Sequence, residues 1–239
     1  MGHRSGLRAS HLLRALPGSE LAHVEAGAVI ETFGPGDLLA AGSSTGFVLF
    51  PLTAVFAMIA PDPGGGGVSV GSLGPEGAHG VADAFGAPAH ALELLCAVGG
   101  TAARIRGAEV VRLVDAAPAF RRQVIRYLGA REVIVSQVAA CSRFHPLEAR
   151  LARMLLAAHD RADGRPIAMT QERLALLIGV SRPKVSAAMD NLRRAGLVDT
   201  QPGSISAVDA QGLRDRACSC YEVIRDTLGA LRTSAPAGD

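Results

Sequence analysis

The stretch IGVSRPKVSAAMDNLRRAGLV, residues 178–198, places Arg182 and Lys184 two positions apart, just after a Gly and a Ser. A guanidinium there can fork onto the O6 and N7 edge of a guanine or grip a phosphate, and an ammonium can do either. Lys184 is the only lysine in the 239 residues. This chemistry needs the start of a helix, because a helix entering the major groove of double-stranded DNA contacts bases from its N-terminal turns. The helix start also favours phosphate. The residues placed for contact are Ser181, Arg182, Pro183, Lys184, Ser186 and Ala187. Thr170 and Gln171, at the front of the preceding helix, are placed for contacts to the DNA backbone.

The elements that must hold these side chains are legible nearby. Thr170 is a good N-cap for a helix over 171–178. Gly179 suits the left-handed residue that ends it. Ser181 is expected to cap the next helix, whose first turn tolerates Pro183 because its missing N–H costs nothing there. Two helices joined by about three residues, with Gly in the turn, form a helix-turn-helix. Leu174, Leu177, Val185, Met189 and Leu192 face inward, and Ala175 is small where the helices cross. Gly196 closes the second helix. LVDTQPGSISAVD then reads as two short strands around Gln201-Pro202-Gly203-Ser204, a hairpin or wing.

Other chemistry is sparse. No Ser/His/Asp or paired-carboxylate constellation stands in sequence context, and no metal or phosphate-loop motif occurs. The chain therefore reads as a non-enzyme with no cofactor. Four cysteines, Cys96, Cys141, Cys218 and Cys220, form no disulfide framework, which fits a reducing compartment. With Cys218-Ser-Cys220 on one final helix, the two thiols would point apart, so no metal site is expected. His79 and His90 have no ligand spacing to support a haem or metal role. No apolar run reaches the ~18 residues a membrane helix needs, and the first residues lack a signal-peptide pattern. A soluble, cytoplasmic protein with no membrane partner is the expectation.

Charge is segregated. From Ala15 to Ala103 there is no Lys or Arg, and eight acids give that stretch −8. All 24 basic residues lie outside it with the other 14 acids, so the flanks carry +10. This suggests two domains with different partners.

Residues 7–24 suggest a short amphipathic helix broken at Pro17-Gly18. From about 26 to 107, short apolar runs alternate with Gly/Pro turns: AVIETF, LLAAG, FVLF, TAVFAMIA, VSVGSL, LELLCAV and TAARI. This is the pattern of an all-β sandwich or barrel, with PDPGGGG as a hairpin tip. A short helix follows at GAEVVRLVDAAP. Pro118 then opens a helix of more than 20 residues. One apolar stripe runs Phe120, Val124, Tyr127, Ile134, Val138 and Cys141, interrupted by Arg131; a second runs Ile125, Leu128, Val135 and Ala139. Two stripes let a helix pack on its own domain and on a copy of itself. The first stripe, including Arg131, is assigned to a parallel homodimer interface. The tail AQGLRDRACSCYEVIRDTLGALR reads as one amphipathic helix.

The expected fold class is α+β. Residues 1–117 are expected to form an all-β domain with an N-terminal helix, which the family resemblance given next makes an antiparallel β-roll sensor. Residues 118–143 are the dimerisation helix. Residues 144–239 are a winged helix-turn-helix with a C-terminal helix. The chain resembles the Crp/Fnr family of bacterial transcription regulators, that of the cyclic-AMP receptor protein and the fumarate–nitrate regulator. TQERLALLIGVSRPKVSAAMDNLRRAGLV is similar to that family's DNA-binding signature. ALPGSEL, FPLTAVFAMI and VGSLGPEGAHGV resemble a branch of it. The resemblance implies a cyclic-nucleotide-binding-like roll that senses, a homodimer, and a near-palindromic DNA operator; for an activator, RNA polymerase is a further partner. A β-roll scaffold acting through protein contacts is the alternative.

Two departures stand out. Where the family's best-known readers carry an Arg-Glu pair and a second Arg one turn on, this chain has Arg182, Pro183 and Ala187. The sensor's Gly-Glu-Leu turn becomes Gly80-Val81, and no Arg follows to pair a phosphodiester. Glu76, Gly77, His79, Gly80 and Val81 are the candidate ligand pocket, with backbone N–H groups at 77–80 available to an anion. A cyclic nucleotide held in the usual way is not expected; the effector is another small molecule, or there is none.

Overall fold

The structure is a computed structural model of the chain. It describes residues 6–40, 46–64, 66–87, 92–162, 165–207 and 209–232. His90 therefore lies outside the described residues.

Leu7–Ala9 and Leu13–Ala15 are single 3-10 turns, and α1 spans Gly18–Gly27. The helix expected over 7–24 is thus displaced. The break at Pro17-Gly18 is present: Leu16 and Pro17 are extended, and Pro17, with φ −54°, is the N-cap from which α1 starts.

Seven strands follow: β1 (Val29–Phe33), β2 (Leu38–Leu39), β3 (Phe47–Pro51), β4 (Val55–Pro61), β5 (Gly67–Leu73), then β6 (Glu93–Val98) and β7 (Gly100–Arg106), with the one-turn α2 (Val81–Ala84) before β6. They build two antiparallel sheets, ordered β1-β7-β3 and β2-β6-β4-β5. The β4–β5 hairpin forms as the Gly-rich tip required.

β4 and β6 are buried on both faces, and alternation explains how. Phe56 and Met58, with Leu94 and Cys96, point into the roll and join its core. Ala57 and Ile59, with Leu95 and Ala97, point the other way and join the core of the C-terminal unit. A strand's side chains alternate between faces, so one sheet serves two cores.

α3 (Gly107–Ala116) leads to α4 (Pro118–Phe144), which Pro118 opens. Phe120, Val124, Tyr127, Ile134 and Val138 are all buried within this one chain, against the roll and against α9. Arg131 is half-buried on the same side. The stripe assigned to a second copy is therefore consumed internally. The other stripe is the open one: Ile125 is 62% exposed, with Leu128 and Val135 beside it. Arg121, Ile125, Leu128, Glu132, Val135, Ala139 and Ser142 are all exposed and spaced alternately by four and three, which is a heptad seam.

The C-terminal unit comprises α5 (Leu147–Ala162), α6 (Gln171–Ile178), α7 (Arg182–Arg194), the hairpin β8 (Val198–Gln201) and β9 (Ser204–Ala207), α8 (Ala210–Arg216) and α9 (Cys220–Arg232). The tail is two helices, not one. Asp209 caps α8 through the Gly212 N–H, and Ala217–Ser219 turn the chain before α9. Cys218 thus lies outside any helix, so the argument that its thiol and that of Cys220 diverge does not apply. α9 returns to α4, where Ile224, Leu228 and Leu231 complete the roll's core.

No helix among the described residues is long and apolar enough to cross a membrane.

Candidate nucleic-acid interface

The helix pair α6–α7 is set by its own sequence. Thr170 accepts the Arg173 N–H at 3.2 Å, which satisfies one orphan donor of α6. Gly179 ends α6 at φ 74°, a left-handed conformation that favours glycine. Arg150 on α5 donates to the Ile178 carbonyl at 2.6 Å, placing positive charge at that helix's C-terminus. Leu174, Leu177, Val185, Met189 and Leu192 are buried as expected, and Ala175 lies at the crossing. Ser181 occupies the N-cap of α7, but its side chain makes no cap bond. Its hydroxyl is exposed instead, with Pro183 starting the helix.

The result is an outward-facing helix start. Ser181, Arg182, Pro183, Lys184 and Ala187 are exposed, and Thr170 beside them is exposed too. Neither Arg182 nor Lys184 makes an ion pair with a described residue, whereas Arg193 and Arg194, at the far end of α7, bond Asp190 and Asn191. Ser186 donates to Gln171 Oε1 at 2.6 Å and is only partly exposed. That bond ties α7 to α6, so these two side chains orient each other. The wing follows, with Val198 and Ile205 buried under it and Gly203 left-handed in its turn at φ 76°.

Residues 149–216 match the Crp-like helix-turn-helix domain. Among solved structures, a transcriptional regulator assigned to the Crp/Fnr family from Eubacterium rectale superposes with TM-score 0.67 at 12% identity, covering 86% of this chain and 96% of its own. The c-di-GMP responsive global regulator CLP of Xanthomonas campestris gives 0.64 at 16% identity, with 80% and 99% covered. A Crp/Fnr-family regulator of Thermus thermophilus gives 0.62 at 17% identity, with 79% and 98% covered. No curated protein matches by sequence. The chain has a Crp-like helix-turn-helix domain in a fold shared with Crp/Fnr regulators.

In this Crp/Fnr fold the expected sensor residues separate into two groups. His79, Gly80 and Val81 line a cavity of about 140 Å³ with Tyr127, Leu128 and Arg131. Glu76 does not line it. Its carboxylate accepts from Arg161 of α5 at 3.0 Å, with both side chains almost wholly buried. Gly77 is pressed under α4, where a Cβ would collide with the Tyr127 ring. The proposed anion cradle is partly used up: the Gly77 N–H donates to Gly74 O and the His79 N–H to Leu49 O. Tyr127 donates to Ala78 O at 2.7 Å, and burial pushes its phenol pKa up. The positive charge at this cavity comes from Arg131, outside the basic-free stretch. Its half-apolar position in the stripe of α4 was the available signal.

Sequence reading also missed the residues that join the two halves. Arg165 donates to Gly99 O at 2.6 Å, and Arg173 to Gly36 O at 3.1 Å. With Arg161 they bring three guanidinium groups onto the basic-free roll. Glu31 and Glu20 are likewise paired, with Arg104 and Arg112. Charge segregation was the visible signal; the acidic middle finds much of its counter-charge within the same chain.

Proposed function

We propose that the chain is a homodimeric, sequence-specific DNA-binding transcription regulator. The observation that carries this reading is the exposed Arg182 and Lys184 on the first turn of α7, neither in an ion pair with a described residue. Two copies joined in parallel through the open heptad seam of α4 would present two such helices, matching a near-palindromic operator. Arg182 reads a base and Lys184 holds phosphate or base. Pro183 and Ala187 offer neither the acceptor for cytosine nor a second fork onto guanine, so the preferred operator differs from that of the family's best-known readers.

Signal input is assigned to the β-roll. A cavity of about 140 Å³ is smaller than the ~300–1,000 Å³ usual for ligand sites. That volume supports an effector smaller than a cyclic nucleotide, or control without any ligand. The protein acts in the cytoplasm, and as an activator it would also touch RNA polymerase.

Gel-shift titration of the intact protein against genomic fragments, repeated over a range of salt, tests the function. Retarded complexes whose affinity falls steeply with salt are expected, because phosphate contacts release counterions. Failure of every fragment to give salt-sensitive binding would overturn the reading.

A further inference from the structure

Cys141 sits in the last turn of α4, and His145 is the C-cap of the same helix, four residues on. Cys218 and Cys220 come from the joint between α8 and α9. The fold brings all four to one point. Cys141 Sγ and Cys218 Sγ are 3.4 Å apart, as are Cys220 Sγ and His145 Nδ1. The four ligand atoms all lie within 4.8 Å of one another, and all three cysteines are buried. Cys96 is remote from this group, in the roll core.

We propose that Cys141, His145, Cys218 and Cys220 form a four-coordinate zinc(II) site. Three thiolates and an imidazole are a donor set that selects zinc over the oxygen-seeking divalent cations. Zinc–sulfur bonds near 2.3 Å imply sulfur–sulfur edges of about 3.8 Å in a tetrahedron. The present spacing reaches that with side-chain shifts of about 1 Å or less. The set fills all four positions, which marks a structural site rather than one with an open place for water.

The surroundings fit a bound metal as well as the ligands do. Gln137 Nε2 donates to Cys220 Sγ at 3.0 Å, the kind of outer hydrogen bond that steadies a ligating thiolate. Zinc with three thiolates carries a net −1. Arg153 supplies the opposite charge: its field acts on both Cys141 and Cys218. Its Nε is buried and has no hydrogen-bond partner among the described residues. Loading the site displaces up to three thiol protons to solvent and needs no oxidant or reductant.

The site would clamp three segments: the end of α4, the turn at Pro146 into α5, and the α8–α9 joint. These are the connections between the long helix and the winged helix. Zinc would therefore set how firmly the DNA-binding unit is held to α4.

The test uses the full chain, reduced, stripped with a chelator and titrated with cobalt(II). One cobalt per chain is expected, with thiolate charge-transfer absorption and tetrahedral ligand-field bands, displaced by zinc. Cys96→Ser should bind as the wild type does. Cys141→Ser and Cys218→Ser should bind at least tenfold more weakly, with reduced charge-transfer intensity, while circular dichroism reports whether each is folded. Two milder variants keep the proposal testable should those not fold. His145→Ala should keep the thiolate bands but bind more weakly, and Gln137→Leu should lose about tenfold in affinity. Zinc at a fixed concentration should raise the Tm of the wild type more than that of His145→Ala. No stoichiometric cobalt, octahedral bands alone, an iron–sulfur cluster in the isolated protein, or unchanged binding by His145→Ala would each overturn the site.

Discussion

Arg182 and Lys184 share a helix turn, and the proposed function gives them different work. A forked guanidinium matches two acceptors on one base edge, while a single ammonium is a point charge suited to phosphate. Arg182→Ala should cost about 1–3 kcal/mol at the preferred site and flatten the ranking of operator variants. Lys184→Ala should weaken all sequences nearly equally and reduce the salt slope by about one. Gel shifts on a set of single-base operator variants separate the two, and an unchanged ranking for Arg182→Ala would remove its base-reading role. Cys96 shows the opposite use of a polar atom. Burial in the roll, with the nearby Asp37 charge adding to it, pushes its thiol pKa up from 9.0 to about 11. The folded state then holds a proton that the unfolded state gives up. Stability from this group is complete below about pH 9 and is lost as pH rises toward 11. Denaturant midpoints across that window should fall less in Cys96→Ala than in the wild type.

At the scale of elements, α4 carries the seam of the proposed dimer. Its sequence carries two apolar stripes, and periodicity cannot say which faces inward. The roll and α9 bury the one through Phe120, Val124 and Tyr127, leaving the seam at Ile125, Leu128 and Val135 open. Ile125→Glu should therefore give a folded monomer of nearly unchanged Tm, read by sedimentation. Val124→Glu, with the same chemistry one residue earlier, should unfold the chain, because an unpaired charge would enter the core. A dimer that survives Ile125→Glu would contradict the seam. The helix-turn-helix was far more legible. Thr170, Gly179 and Pro183 act within a turn or two of themselves, so their caps and breaks survive without knowledge of the rest. The tail was misread because AQGLRDRACSCYEVIRDTLGALR has no Pro or Gly at its break, Ala217–Ser219, where the Cys218 N–H instead donates to Ala149 O of α5 at 3.4 Å.

For the whole molecule, the decisive fact is that the winged helix lies on the outer face of the four-stranded sheet. Ala57, Ile59, Leu95 and Ala97 are roll residues by sequence and DNA-binding-unit residues by packing. The Glu76–Arg161 pair crosses that junction almost completely buried. Breaking one side strands a buried charge, which costs about 3–5 kcal/mol. Arg161→Ala should lower the Tm and open the junction to hydrogen exchange. Glu76→Gln with Arg161→Met, an apolar-leaning replacement of the pair, should recover much of the stability. If Arg161→Ala leaves Tm and exchange unchanged, the pair does not hold the two units together.

The local rules explain what the amino-acid sequence determined alone. Turn glycines and alternating apolar residues marked all seven strands. Thr170 and Gly179 marked α6, Pro183 marked the start of α7, and the charges there marked the surface proposed for DNA. Each signal spans only a few residues. Tertiary structure decided what depends on distant partners: which stripe of α4 stays open, where Glu76 finds its counter-charge, and that Cys141 and Cys218, 77 positions apart, come within 3.4 Å. Those outcomes follow from burying apolar faces in the fewest shared cores, a property of the whole chain that no window of sequence contains.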